Sequence, residues 1–128
     1  MNTMIYDNLP HYIGYFMNET EIAMYYHTTI RNVALFLSIT VAIIEYARYY
    51  KIIRPSYYIL LLIFGIMFLV VSIGINYFLI ENISSFLEKN PKSYIKRWKY
   101  FNYILLLIQA LLLLMTFWIL FSSASKLL

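Results

Sequence analysis

The sequence predicts an all-α fold, an integral membrane three-helix bundle led by a short interfacial segment. Two uninterrupted apolar runs, Tyr57–Ile80 and Tyr100–Ala124, contain no charged residue. Each exceeds the ~20 apolar residues a helix needs to cross a bilayer. A third stretch, near His27–Tyr46, is almost as apolar and is bounded by Arg31 and Glu45. Composition agrees, because the 128 residues are 62% hydrophobic and only 12% charged, about half the charge of a soluble domain. Spanning helices consume most of that length, so one small domain fits and a large aqueous catalytic unit does not.

Residues 1–18 read as an interfacial lead-in. Pro10 can open a short helix, since its missing N–H is not needed at the first helical position. Leu9, Ile13 and Phe16 then share a side, with Tyr12 and Tyr15 nearby. Such a segment would lie on the membrane or against a partner; the alternative is a partly ordered tail. Residues 19–128 form the transmembrane domain. Asn18 followed by Glu21 has the spacing of a capping box and starts the first helix, expected over about 19–50. Arg54-Pro55-Ser56 ends it and opens the second, over about 56–89. That helix should outlast the membrane. After Ile80 the pattern continues as Ile83, Phe86 and Leu87, with Glu81, Glu88 and Lys89 opposite, an amphipathic helical spacing whose apolar side suits a partner. Asn90-Pro91 stops it, and the third helix follows over about 93–124. Short links make sequential helices neighbours.

Charge and aromatic residues mark the two ends. Lys89, Lys92, Lys96, Arg97 and Lys99 fall on one side, and Arg48, Lys51, Arg54 and Lys126 on the other. The positive-inside rule therefore leans to an N-terminus inside. Tyr49, Tyr50, Tyr57, Tyr58, Trp98, Tyr100 and Tyr103 sit where interfacial aromatic belts are expected. There is no cysteine, which excludes disulfides, thiolate catalysis and thiolate metal sites. The start of the chain is acidic rather than basic and reads as no secretory signal. Ile, Tyr, Asn and Lys are abundant, and their AT-rich codons point to an AT-rich genome such as a large DNA virus, a protist or an organelle.

Each helix carries a polar or small-residue row at heptad spacing. On the third it is Asn102, Gln109, Thr116 and Ser123. On the second it is Gly65, Leu69, Ser72 and Asn76, and on the first Arg31, Leu35, Ser38, Ala42 and Glu45. Such rows suit helix packing, because small residues allow close approach and amides hydrogen-bond across helices. The functional alternative is a polar pathway lined within an oligomer. Arg31 and Glu45 stand out, since ionisable groups inside a span are costly and mark functional sites by default. They lie ~21 Å apart along the axis at 1.5 Å per residue, too far to pair within one helix. Arg31 can snorkel to lipid phosphates while Glu45 pairs with Arg48. Alternatively, Arg31 faces an anionic ligand or a carboxylate on another subunit.

Lys92, Lys96 and Lys99 form one stripe, flanked by Arg97, immediately before the third helix. Cations there oppose the helix dipole, so the stripe serves anionic lipid headgroups rather than helix stability. It is too short and too close to the membrane to suggest nucleic-acid binding. His11 and His27 have no metal-ligand spacing with a carboxylate pair, and no phosphate loop or nucleophile elbow is present. The sequence therefore reads as non-enzymatic and cofactor-free.

The stretch Thr29-Ile30-Arg31-Asn32-Val33-Ala34-Leu35-Phe36-Leu37-Ser38-Ile39-Thr40 resembles the first-helix motif of a small three-helix membrane family. That family includes the all-membrane subunit of the vacuolar transporter chaperone complex. The resemblance spans the three helices, including the overlong second one. It implies that Arg31 is the family's motif arginine, with an anion-facing role in an oligomeric pore. Thr29-Ile30 replaces the family's Asn-Glu, and no basic residue follows in Ser38-Ile39-Thr40-Val41.

The expected function is that of a structural or assembly component in a larger membrane complex, such as a respiratory assembly or the inner membrane layer of a virion. Anionic lipids and other membrane subunits, or copies of itself, are the expected partners. The runner-up is an oligomeric pore or anion conduit with Arg31 facing the axis.

Overall fold

The computed structural model describes residues 17–127, which fold into three helices: α1 (Glu19–Arg48), α2 (Pro55–Lys89) and α3 (Lys96–Leu127). The interfacial segment expected at the start of the chain lies, apart from Met17 and Asn18, outside the described residues. Each helix is long and apolar enough to cross a membrane, and the chain is a multi-pass integral membrane protein by architecture. At 1.5 Å per residue the 35 residues of α2 extend ~52 Å, well beyond the ~30 Å hydrocarbon core. Its last turns therefore stand outside the bilayer.

Local chemistry sets the helix ends. The Asn18 side chain accepts a hydrogen bond from the Glu21 backbone N–H at 2.8 Å. Glu19 and Glu21 complement the positive end of the helix dipole. α1 stops at Arg48, two residues before the expected end, because Tyr49, Tyr50 and Lys51 bond back three residues in tight turns. Pro55 then opens α2. α3 begins at Lys96 rather than 93. Ser93 opens a turn instead, with its Oγ accepting from the Ile95 N–H at 3.3 Å. At the far end, helical geometry continues past the expected stop to Leu127, with Lys126 at the negative end of the dipole.

α2 is the central element and packs against both neighbours. Its buried positions include Tyr58, Leu62, Gly65, Leu69, Ser72, Asn76, Leu79, Ile83 and Phe86. Alternating steps of four and three form the repeat of knobs-into-holes packing. One row of this repeat lies toward each neighbour, with Ser72 reaching both. Val33 of α1 receives Ser72 and Thr40 meets Gly65, so a seven-residue step along α1 matches one back along α2. Tyr26 and Ala47 extend the α1 row to the two apolar clusters that hold Leu79 and Tyr58. The other α2 row faces Ile95, in the turn before α3, and Asn102, Gln109 and Thr116 of α3, again seven residues apart and all buried.

The α2 extension is covered by the chain itself. Ile83 and Phe86, which the sequence offered to a partner, are buried with Ile22, Tyr26, Leu79 and Ile95. The reason is that α1 also starts outside the span and lays its first two turns along them. Trp98 joins α1 to α3 here, with its ring 4.8 Å from Tyr26 and 5.4 Å from His27. Ser93 Oγ donates to Glu19 at 2.9 Å across the same junction.

Gly65 marks the close approach of α1 and α2. A Cβ added there would lie 3.4 Å from the Ile44 side chain and 3.6 Å from Ile43. Gly65→Ala should be nearly neutral. Gly65→Leu should cost about 1–3 kcal/mol by forcing the helices apart, measurable as a lowered unfolding midpoint of the detergent-solubilised protein.

Candidate functional site

Three features carry polar chemistry: a hydrogen-bonded chain inside the bundle, the outer face of α1, and the basic turn before α3. The interior chain begins on α3. Asn102 Nδ2 donates to Asn76 Oδ1 at 2.7 Å, and Asn76 Nδ2 donates back to the Asn102 main-chain carbonyl at 3.2 Å and on to Gln109 Oε1 at 3.0 Å. Gln109 Nε2 donates to Ser72 Oγ at 2.7 Å, and Ser72 donates to the Val33 carbonyl of α1 at 3.0 Å. Four polar side chains, all with no exposure, thus link all three helices in one directed sequence. Asn102 Oδ1 begins it with no donor of its own. Thr40 repeats the theme at smaller scale, bonding its own helix at Phe36 O and reaching Gly65 O at 3.4 Å. Thr116 is buried as well but bonds only back to Leu112.

α1 turns a different row inward from the polar one its sequence displays. Tyr26, Val33, Thr40 and Ala47 face α2, whereas Arg31, Ser38, Ala42 and Glu45 are exposed. The two rows lie on opposite sides of the helix. Burying the charged row against α2 would have stripped Arg31 and Glu45 of solvent and headgroups without supplying partners. Ser38 bonds back to Ala34 O. Glu45 pairs with Arg48 at 3.2 Å, with both side chains more than 60% exposed, a geometry worth about 0.3–0.5 kcal/mol. Among the described residues Arg31 meets no carboxylate, and Asn32 beside it is also exposed. Asn32 is the polar group that the sequence row missed. Its signal was its place beside Arg31, one step round the helix from the charged row.

The basic turn gathers three of its four cations. Lys92, Lys96 and Arg97 line one cleft with Ser93 and Tyr100. Lys99 points elsewhere, with its ammonium 5.8 Å from the centre of the Tyr103 ring. At the opposite end Tyr46, Tyr49, Tyr50 and Tyr57 form a string of edge-on rings. The hydrogen bond between the Tyr46 and Tyr50 hydroxyls, at 2.9 Å, raises the Tyr50 phenol above the ordinary tyrosine range. Among the described residues no three His, Asp or Glu side chains gather as a metal site would require.

No protein-family model, curated protein or solved structure matches the chain. Its own geometry therefore carries the functional argument.

The interior chain has a measurable energetic consequence. Gln109→Leu strips Asn76 of an acceptor and Ser72 of a donor inside an apolar medium. It should destabilise the bundle by about 1–2 kcal/mol in a denaturing-detergent titration. Ser38→Ala on the outer face should stay within about 0.5 kcal/mol in the same assay.

Proposed function

We propose that this protein is a non-enzymatic structural or assembly subunit of a larger membrane complex, and that it docks through the outer face of α1. One observation carries this reading. The outward surfaces of α2 and α3 within their spans are apolar, including Ile63, Phe64, Met67, Val70, Leu107, Leu111 and Leu114. The outward surface of α1 instead presents Arg31, Asn32 and Ser38 within its span. Lipid tails solvate the first kind of surface and offer no hydrogen bond to the second. A neighbouring transmembrane helix bearing a carboxylate or amide would satisfy it, and Ala34 and Ala42 on that side permit close approach.

A second reading draws on the same residues. If copies of the chain assemble with α1 inward, Arg31 and Ser38 line an axis suited to anions. The first-helix resemblance to the vacuolar transporter chaperone family favours this arrangement.

Purification from native membranes, with mass identification of co-purifying chains, separates the two. The assembly reading expects a distinct membrane protein that crosslinks to a photoreactive residue at Ser38 and is lost in Arg31→Leu. A monomer free of partners would overturn it. The conduit reading expects a homo-oligomer whose reconstituted anion current changes in Arg31→Leu, and silence in planar bilayers would remove it.

A further inference from the structure

At the end of the bundle opposite the basic turn, a cleft of about 470 Å³ opens between the start of α2 and the last turns of α3. Lys51, from the turn after α1, and Lys126, from α3, line it without an Asp or Glu beside them. Among the described residues Glu45 is the one acid near this end, and Arg48 engages it. Two ammonium groups from distant parts of the chain therefore share one uncompensated hollow.

The hydroxyls in the cleft also lack partners. Tyr58 is only 4% exposed, yet its phenol makes no hydrogen bond among the described residues. Ser122 and Ser123 do not make the bond to the preceding turn that Ser38, Thr40, Ser85 and Thr116 make. None of the three hydroxyls is sealed from the cleft, since Ser122 and Ser123 are half-buried and the Tyr58 phenol oxygen is not fully enclosed, so each is open to donate to a ligand oxygen. Negative charge for the lysines and acceptor oxygens for the hydroxyls are both properties of a phosphate.

The remaining wall is apolar, formed by Pro55, Ile59, Ile119 and Trp118. The Trp118 side chain is 74% exposed, at the level where indoles meet lipid headgroups. An inorganic anion has no use for such a wall, whereas a phospholipid sets its glycerol and first acyl carbons against it. We propose that this cleft binds the phosphate of an anionic phospholipid from the surrounding bilayer. Lys51 and Lys126 supply charge, Tyr58 and the two serines supply donors, and Trp118 lies along the acyl chain. A zwitterionic headgroup brings its own cation beside two lysines and is disfavoured.

Trp118 provides the readout, because in a Trp98→Phe background it is the sole indole. Phosphatidylglycerol with brominated acyl chains is titrated into the full chain in phosphatidylcholine nanodiscs. Each lysine near an acidic headgroup is worth roughly fivefold in affinity. Quenching should therefore be half complete at a mole fraction roughly 25-fold below that required with brominated phosphatidylcholine. The double variant Lys51→Gln/Lys126→Gln should erase the difference. Equal quenching by both lipids, or indifference to the double variant, overturns the proposal. Relief of quenching by millimolar inorganic phosphate overturns it too, by marking the site as one for free anions. Native mass spectrometry of the chain with Trp98 intact gives a second test. The double variant should retain one phosphatidylglycerol fewer, and an equal count refutes the site.

Discussion

An amide inside hydrocarbon has no water to bond with, and the arrangement of this bundle follows from that constraint. Asn76, Asn102 and Gln109 lie within the apolar stretches of α2 and α3, where an unsatisfied N–H or C=O costs more than most packing contacts return. Apart from Asn102 Oδ1 they satisfy one another, and through Ser72 they reach the Val33 carbonyl of α1. Apolar heptad rows alone would tolerate a slip of seven residues between helices. The amides do not, because only one register lets Asn102 meet Asn76 while Gln109 meets Ser72. The polar chain thus fixes which turn of each helix faces which, and the apolar clusters at the two ends complete a packing that it has aligned.

The same constraint explains what was legible in the sequence. Two spans without charge admit one medium, so fold class and the course of α2 and α3 followed directly. The α3 row was equally plain, because Asn102, Gln109 and Thr116 are polar islands in a sea of Leu and Ile. In α1 polarity misled. Two heptad rows compete there, and the more conspicuous, with Arg31, Ser38 and Glu45, faces away from the bundle. Tyr26, Val33, Thr40 and Ala47 share no chemical character. Only their match in spacing to Leu79, Ser72, Gly65 and Tyr58 identifies them, and that match exists only once the helices are paired. The Tyr58 cleft was hidden for a related reason, since it joins residues from the first turn and from the end of the chain.

The division of surfaces follows as well. α2 spends both rows of its repeat on its neighbours, α3 offers lipid an apolar back, and α1 keeps polar groups on its outside. Charge is excluded from the interior and distributed between the membrane margins and this one face. Both proposed contact surfaces lie where the chain's own packing left Arg31, Lys51 and Lys126 without an acidic partner among the described residues.

Beyond the membrane, the last turns of α2 are clamped by Ile22 and Tyr26 on one side and by Ile95 and Trp98 on the other. The helical repeat runs through the bilayer margin without a Gly, a Pro or a change of phase. There is consequently no hinge between the part of α2 in lipid and the part in water. A torque applied to the protruding stub is therefore passed directly to the adjoining turns of α2 in the lipid, and the margin itself is a continuous helical joint.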